Sequence, residues 1–325
     1  MDADRLLEIA SGYRAAAVLT AAAAAGLLDA LAASPGTAEE VAARLELDAR
    51  AVGIVLNALV AMGVAELAAG RYTLPPEHAE LLASDSPLTL AHILRHNQVL
   101  LQNWARLPEV LERGGPLPRE RRTPEEQAAF LAAMDDLARR RAGELWSRVN
   151  LSGRRHLIDV GGGAGRFALE AVRRFPGLAA TVVDLPESEA AFRSLMEREA
   201  AGAAVRFVAV DALEGPLPTA DAALVSSLVH VFGPEELGRL AASLAAALEP
   251  EGLLVIRDFL FEDREHTSPP ATALFAVNML LHTPSGGCYT REELEAIFGP
   301  AGFGAWRRSD LDPRTAALVA TRTQP

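Results

Sequence analysis

Asp159, Gly161, Gly163 and Gly165 alternate along the run His-Leu-Ile-Asp-Val-Gly-Gly-Gly-Ala-Gly that begins at His156. A second carboxylate, Asp184, follows the glycines by about twenty positions. Glycine has no Cβ, so backbone at such residues can approach a ligand closely and take positive φ. A carboxylate at the tip of a following strand can accept both hydroxyls of a ribose. These residues together point to an adenosine-containing cofactor and leave its identity open.

Two phasings compete. Gly163-Ala164-Gly165-Arg166-Phe167-Ala168 satisfies G-x-G-x-x-[G/A], the fingerprint of a turn that cradles a dinucleotide pyrophosphate. The other phasing reads Asp159 as an acid two places before a G-x-G-x-G turn of Gly161, Gly163 and Gly165, with Gly162 between them. That turn has no pyrophosphate to hold. It admits the amino-acid end and the charged sulfonium of S-adenosylmethionine.

The elements around the turn form one β-α-β unit. His156–Val160 is a short apolar run suited to a buried strand. Residues 166–175 favour a helix that Pro176 and Gly177 stop, and Ala180–Val183 is a second strand ending in Asp184. The alternation continues with a helix over 187–201, a strand over 205–210 ending in Asp211, a strand over 221–227 and a helix over 234–248. A strand over 253–261 and a helix over 290–298 follow. Residues 303–307 and 315–321 then fold as a hairpin about Asp312-Pro313. Such a series implies a mostly parallel sheet with one antiparallel strand near its edge. A dinucleotide-binding oxidoreductase is expected to continue with parallel units, so the hairpin favours the S-adenosylmethionine phasing.

Length and charge narrow the function. With 325 residues, two domains are expected. The net charge of −12 and isoelectric point near 5.1 argue against a nucleic-acid partner, which needs a basic surface. Lysine is absent, and with the heavy use of alanine this reads as genome-wide bias. The single cysteine, Cys288, excludes an internal disulfide and fits a reducing cytoplasm. Asp2 and Asp4 open the chain without a basic stretch, so no secretory signal is expected. Residues 15–25 are apolar but mostly alanine and read as a core helix, not a membrane span.

Residues 1–75 read as short helices and a hairpin. A helix over 15–31 is followed by a capping box, Thr37-Ala38-Glu39-Glu40, and by a third helix that Asp48 caps and Gly63 ends. Residues 64–67 and 71–74 alternate around Ala69-Gly70 as a two-stranded wing. The third helix carries Arg50 as its one basic residue and displays Leu56, Leu59 and Val60. A face of that kind suits another subunit better than a DNA groove. Residues 87–149 are expected to be helical, with Phe130, Met134, Leu137 and Leu145 as an apolar stripe on the long final helix.

Taken together, the chain resembles the plant-type and bacterial small-molecule O-methyltransferases. AAAAAGLLDALA, TAEEVAARLELD and LNALVAMGV resemble that family's dimerisation domain, and DVGGGAG followed by VVDLP resembles its cofactor signature. VRFVAVDAL and GGCYTREELEAIFGPAGF resemble its adenine-contacting and C-terminal segments. The resemblance implies an α/β, Rossmann-like class I methyltransferase domain over 109–325. Its sheet would be mostly parallel and seven-stranded, with one antiparallel strand. A winged-helix dimerisation domain over 1–108 would precede it. The implied cofactor is S-adenosylmethionine, with S-adenosylhomocysteine as product. The implied partners are a small-molecule acceptor and a second copy of the chain, with no membrane or nucleic acid.

The same resemblance assigns residues. Asp184 with Leu185 would hold the ribose and Asp211 with Ala212 the adenine; Ser226, beside Ser227, takes the place of a cofactor-contacting lysine. His230 takes the position of the catalytic base, and Asp258 that of its orienting carboxylate, while Cys288 and Tyr289 occupy the region of the family's second acid. A phenol titrates near ~10, so a base with pKa near ~6.5 can remove its proton as the methyl group moves. Position in the family makes His92, His96, Trp104, Phe130 and Met134 acceptor-lining residues, together with Asn278, Met279 and His282. His92 and His96 share a helix face but have no third ligand, so no metal is expected. Alternatives left open are nitrogen or carbon methylation, a family member that keeps the cofactor for another reaction, a nicotinamide oxidoreductase, and a winged-helix regulator.

Overall fold

Two compact units make up the chain in a computed structural model that describes residues 1–118, 121–199 and 204–323. They comprise Met1–Ala105 with Ala132–Leu137, and Arg106–Leu131 with Ala138–Pro325.

The first unit contains α1 (Ala3–Ser11), α2 (Tyr13–Ala24), α3 (Leu27–Ala33), α4 (Ala38–Leu45), α5 (Ala49–Ala61), β1 (Glu66–Ala68), β2 (Arg71–Thr73), α6 (Pro76–Leu82) and α7 (Ala91–Trp104). The expected capping box is present on α4: Thr37 and Glu40 each accept the other's backbone N–H. Asp48 caps α5 by accepting the Ala51 N–H at 2.7 Å. The wing forms as an antiparallel β1–β2 pair. The single helix expected over 15–31 is two helices, because Gly26 takes a left-handed φ of 77° between α2 and α3. A second correction concerns α5. Leu56 and Leu59, read as a face for another subunit, are both fully buried in the unit's own core with Leu28 and Leu31. Apolar side chains left in solvent include instead Leu6, Leu7 and Ile9 of α1 and Ile54 of α5.

The second unit begins with α8 (Leu107–Arg113) and α9 (Pro124–Arg148). The nucleotide-type portion follows as β3 (His156–Val160), α10 (Arg166–Arg174), β4 (Ala179–Asp184), α11 (Glu189–Arg198), β5 (Val205–Ala209), β6 (Ala220–Ser226), α12 (Pro234–Ala247) and β7 (Leu248–Asp258). It closes with β8 (Leu260–Phe261), α13 (Pro270–His282), β9 (Tyr289–Thr290), α14 (Arg291–Phe298), β10 (Phe303–Asp312) and β11 (Thr315–Arg322). Seven strands form one sheet in the order β10-β11-β7-β6-β3-β4-β5, in which β11 alone runs antiparallel to its neighbours. This is the topology the hairpin implied. Both faces are covered, and apolar clusters fill each side. A strand such as β6 therefore buries nearly every residue, which explains its unbroken apolar character.

Strand order reverses between β3 and β6, the position where open α/β sheets leave a crevice at the carboxyl ends of their strands. Two expectations change here. The strand over 253–261 begins earlier, at Leu248, and splits into β7 and β8 at Phe259. The apolar stripe on α9 does not hold as read: Leu137 is 43 % exposed, whereas Asp135 and Asp136 are buried. The helix turns its carboxylates inward because they have partners there, as Asp136 does at the start of α7. Among the described residues, no single helix is long and apolar enough to cross a membrane.

Burial on α5 predicts unequal costs of truncation. Leu56→Ala should lower unfolding free energy by about 2–5 kcal/mol, while Ile54→Ala on the same helix should change it by no more than about 0.5 kcal/mol. Urea denaturation of the two variants at fixed protein concentration checks this.

Candidate active site

The glycine turn is built around a buried carboxylate. Asp159, on β3, is fully buried. Its Oδ2 accepts the Ala168 N–H at 3.2 Å, and its Oδ1 has no hydrogen-bond partner among the described residues. The backbone then passes directly over it: a Cβ on Gly162 would lie 2.7 Å from the Asp159 Cγ. Gly165 starts α10 at φ 89°, where a Cβ would lie 2.9 Å from Val182 on β4. Gly161 donates its N–H to the Val183 carbonyl at 2.8 Å, and Gly163 donates to Asp184 Oδ2 at 2.7 Å, so the turn is sewn to the end of β4.

Asp184 is held from three directions. Besides Gly163, the Leu185 N–H at 2.7 Å and the Ser188 hydroxyl at 3.0 Å both donate to its Oδ1. The Val210 N–H donates to the Asp184 carbonyl at 3.0 Å, which brings the end of β5, and with it Asp211 and Ala212, alongside. Asp211 is exposed and accepts the Leu213 N–H at 2.9 Å. On the other side of β3, β6 ends in Ser226, whose buried hydroxyl has no partner among the described residues. Ser227 follows at φ 55° and accepts a hydrogen bond from Arg257 Nη1 at 2.8 Å. The structure thus brings all the residues expected to hold the cofactor to the carboxyl ends of β3, β4, β5 and β6.

The charge of this crevice discriminates between the two cofactors. Burial, and then the neighbouring Asp184, push the Asp159 carboxyl up to about 7. Burial also raises Asp184. A cationic ligand group would favour the charged form of Asp159 that burial disfavours, whereas a pyrophosphate would add negative charge beside Asp159 and Asp184. The sulfonium and ammonium of S-adenosylmethionine are such groups, so the residues present fit that cofactor.

His230 lies on a single turn of 3₁₀ helix, Val229–Val231, just beyond β6. Its Nδ1 is 2.6 Å from Asp258 Oδ1, and both side chains are buried. The carboxylate oxygen also accepts the Phe259 N–H at 2.8 Å, so Nδ1 is the ring nitrogen that carries a proton. In the neutral imidazole this leaves the lone pair on Nε2. Phe275 on α13 packs edge-on against the imidazole at 4.8 Å between centroids, and Phe259 stacks on Phe275 at 4.0 Å. Cys288 is pushed up to about 12 by burial and by Asp258, and Tyr289 to about 12 chiefly by burial. Neither is a nucleophile or a charged partner near neutral pH.

The residues expected to line an acceptor site are spread over three helices. His92, His96 and Trp104 lie half-buried on α7, with Phe130 and Met134 on α9. His92 Nδ1 is 3.1 Å from Asp136, which also accepts the His92 and Ile93 N–H groups. The Arg122 guanidinium sits over the Phe130 ring at 4.0 Å. Asn278, Met279 and His282 share α13 with Phe275; His282 Nδ1 is engaged with the Asn278 carbonyl at 2.7 Å. Sequence reasoning missed Phe275, Arg257 and Asp136. The only sequence signal for Asp136 was the pair of adjacent aspartates interrupting an apolar stripe.

Known proteins share this arrangement. A family model described as the O-methyltransferase domain matches residues 114–304, and one described as the O-methyltransferase dimerisation domain matches residues 7–76. The 3-hydroxy-5-methyl-1-naphthoate 3-O-methyltransferase of Streptomyces sahachiroi is 31% identical over 306 residues, covering 91% of this chain and 88% of the relative. The N,N-dimethyltransferase OxyT of Streptomyces rimosus is 30% identical over 323 residues, covering 94% and 92%. Human N-acetylserotonin methyltransferase in complex with S-adenosylmethionine superposes with a TM-score of 0.90, covering 100% of this chain and 99% of that one. At 23% identity this is a likeness of fold.

Asp159 generates a test in the ligand-free protein. Its pKa is raised on folding, from 3.8 to about 7, so the folded chain binds the proton more tightly than the unfolded one. Stability is therefore lost as pH rises from about 4 to about 7, by an amount on the order of a few kcal/mol. Asp159→Asn keeps the shape and removes the titration, so its thermal midpoint should fall less than that of the wild type across that interval. Parallel melting curves in calorimetry would show that the carboxyl is not perturbed.

Proposed function

Because the chain belongs to the O-methyltransferase family and depends on S-adenosylmethionine, we propose that it methylates a hydroxyl of a small aromatic or polyketide-like acceptor. The observation that carries this reading is the buried 2.6 Å His230–Asp258 pair at the rim of an acidic, glycine-lined crevice. Bound S-adenosylmethionine supplies a methyl group on a cationic sulfur, which an oxygen nucleophile displaces to leave S-adenosylhomocysteine.

This chain's own residues supply the rest. Asp159 and the turn Gly161–Gly165 would face the cationic end of the cofactor, Asp184 its ribose and Asp211 its adenine, with Ser226 and Ser227 closing the crevice. A neutral phenol is a poor nucleophile because its proton leaves only near pH ~10. His230 Nε2 takes that proton as the oxygen–carbon bond forms, and Asp258 stabilises the imidazolium while holding the ring in one tautomer. The edge of Phe275 fixes the ring plane.

A nitrogen acceptor is the second reading, favoured by the likeness to an N,N-dimethyltransferase. An amine that is already neutral needs no base, so the two readings separate on one variant. With an aromatic alcohol, His230→Ala should lower kcat by about 10²–10⁴-fold while S-adenosylhomocysteine affinity stays unchanged. Radiolabelled methyl transfer to a panel of naphthols and aromatic amines measures this. Undiminished turnover of a phenolic substrate would refute the base role.

The dimerisation domain at 7–76 supports self-association, and we place the catalytic portion at 109–325 and the pairing portion at 1–108. The exposed Leu6, Leu7 and Ile9 of α1 suit contact with a second copy in a cytoplasmic homodimer. Sedimentation of a Leu7→Asp, Ile9→Asp variant should show loss of the dimer, and an unchanged dimer would place the contact elsewhere.

A further inference from the structure

The turn that carries His230 is gripped by a segment far from it in sequence. Residues 283–289 (Thr-Pro-Ser-Gly-Gly-Cys-Tyr) cross its outer side. The Gly287 N–H donates to the His230 carbonyl at 2.9 Å, and the Tyr289 hydroxyl donates to the Phe232 carbonyl at 2.5 Å. Between these ties the two backbones touch. A Cβ on Gly286 would lie 2.4 Å from the His230 oxygen and 2.7 Å from the Val231 oxygen, both main-chain atoms with no freedom to swing aside. The two segments are also close at Gly233, where a Cβ would lie 2.9 Å from the Ser285 Cβ. A carboxylate locks the overlap: Glu236 Oε2 accepts both the Ser285 hydroxyl at 2.7 Å and the Gly233 N–H at 2.9 Å.

The ends of the segment reach the other two parts of the base. At its start, the Thr283 hydroxyl donates to the Met279 carbonyl at 2.8 Å and accepts the Gly286 N–H at 3.1 Å, which anchors it to α13, the helix that presents Phe275 to the imidazole. At its end, Tyr289 and Thr290 form β9, paired with β8 immediately after Asp258. One stretch of chain therefore touches the backbone of the histidine, the strand extension beyond its carboxylate and the helix of its aromatic neighbour. No acidic residue occurs between Pro270 and Tyr289, so the segment brings no charge to the pair.

We propose that residues 283–289 act as a positioning strap for His230, with Gly286, Tyr289 and Glu236 as its positioning residues. This rests on the reading of His230 as base. Nε2 performs proton transfer only when it is held within tenths of an ångström of the acceptor oxygen, and Asp258 fixes the rotation of the ring but not the position of its backbone. The strap fixes the backbone through carbonyl ties and steric contact. No hydrogen bond among the described residues joins the strap to the glycine turn or to Asp184, so the two functions should be separable by mutation.

The experiment compares the full-length wild type with Gly286→Ala, Tyr289→Phe, Ser285→Ala and His230→Ala. Two readouts do not need the natural acceptor: the low-field Nδ1 proton resonance of His230, identified by its loss in His230→Ala, and S-adenosylhomocysteine affinity by calorimetry. The third is kcat on 1-naphthol and on a nitrophenol that is ionised at the assay pH. In Gly286→Ala the resonance should broaden or shift while S-adenosylhomocysteine binds as in the wild type, and kcat on the naphthol should fall by about 100-fold. On the ionised phenol the fall should be less than about fivefold, because no proton has to be taken. Tyr289→Phe and Ser285→Ala, which remove one hydroxyl each, should move the same way by smaller factors and keep the test open if the alanine at 286 does not fold. An unmoved resonance, or equal losses on both phenols accompanied by weaker cofactor binding, overturns the strap. If His230→Ala itself treats the two phenols alike, the base reading fails independently.

Discussion

A carboxylate withdrawn from water must acquire a cation, a set of N–H donors or a proton, and this chain buries two of them, and half-buries a third, along the carboxyl edge of one sheet. Each is answered differently. Asp258 gives one oxygen to an imidazole and a backbone N–H. Asp184 collects two N–H groups and a hydroxyl. Asp159 has a single N–H and keeps its proton to about pH 7. Asp159 and Asp258 each keep one buried oxygen without a hydrogen-bond partner among the described residues, but only Asp258 has an imidazole on the other. The glycines of the turn follow from the same constraint, since the chain must cross Asp159 with no side chain between.

The cofactor half of this arrangement was readable because it is local. β3, α10 and β4 occupy a short stretch punctuated by glycine and proline, and parallel strands covered on both faces must be apolar throughout. The spacing from Asp159 to Asp184 therefore carried its geometry within it. The His230–Asp258 pair was different: it depends on β6 lying beside β7, and only resemblance to a family joined the two residues before the fold did. α13 escaped notice because its sequence is apolar nearly all round, so no period separates helix from strand. Leu137 was read as part of the apolar stripe on α9, yet it is exposed while the adjacent Asp135 and Asp136 are buried. Leu56 and Leu59 were read as an outward face because periodicity reports a stripe and not the direction it points. Gly286 was read only as part of the family's C-terminal segment, and the reason for it lies on a turn more than a whole helix away.

The two halves are also held by different means. The residues proposed to hold the cofactor sit at the ends of consecutive strands, so the ladder of main-chain hydrogen bonds sets their spacing. His230 and its surroundings hang on a short turn, a helix outside the sheet and a crossing loop, connected by side-chain and carbonyl contacts. Substitutions in α13 can reshape what faces the histidine without disturbing the strand ends, which suits a fold whose relatives differ in acceptor.

The position of β11 between β10 and β7 has a consequence for synthesis. Asp258 is flanked on that side by Ala316, which is added to the growing polypeptide long after Asp258 itself. While the ribosome is still working through the intervening helices, β7 forms a bare margin of the sheet, and Arg257 lacks the Thr315 hydroxyl that meets its guanidinium. A nascent chain can pair β3, β4, β5 and β6 early, but the His230–Asp258 pair is braced on that side only when the final hairpin docks.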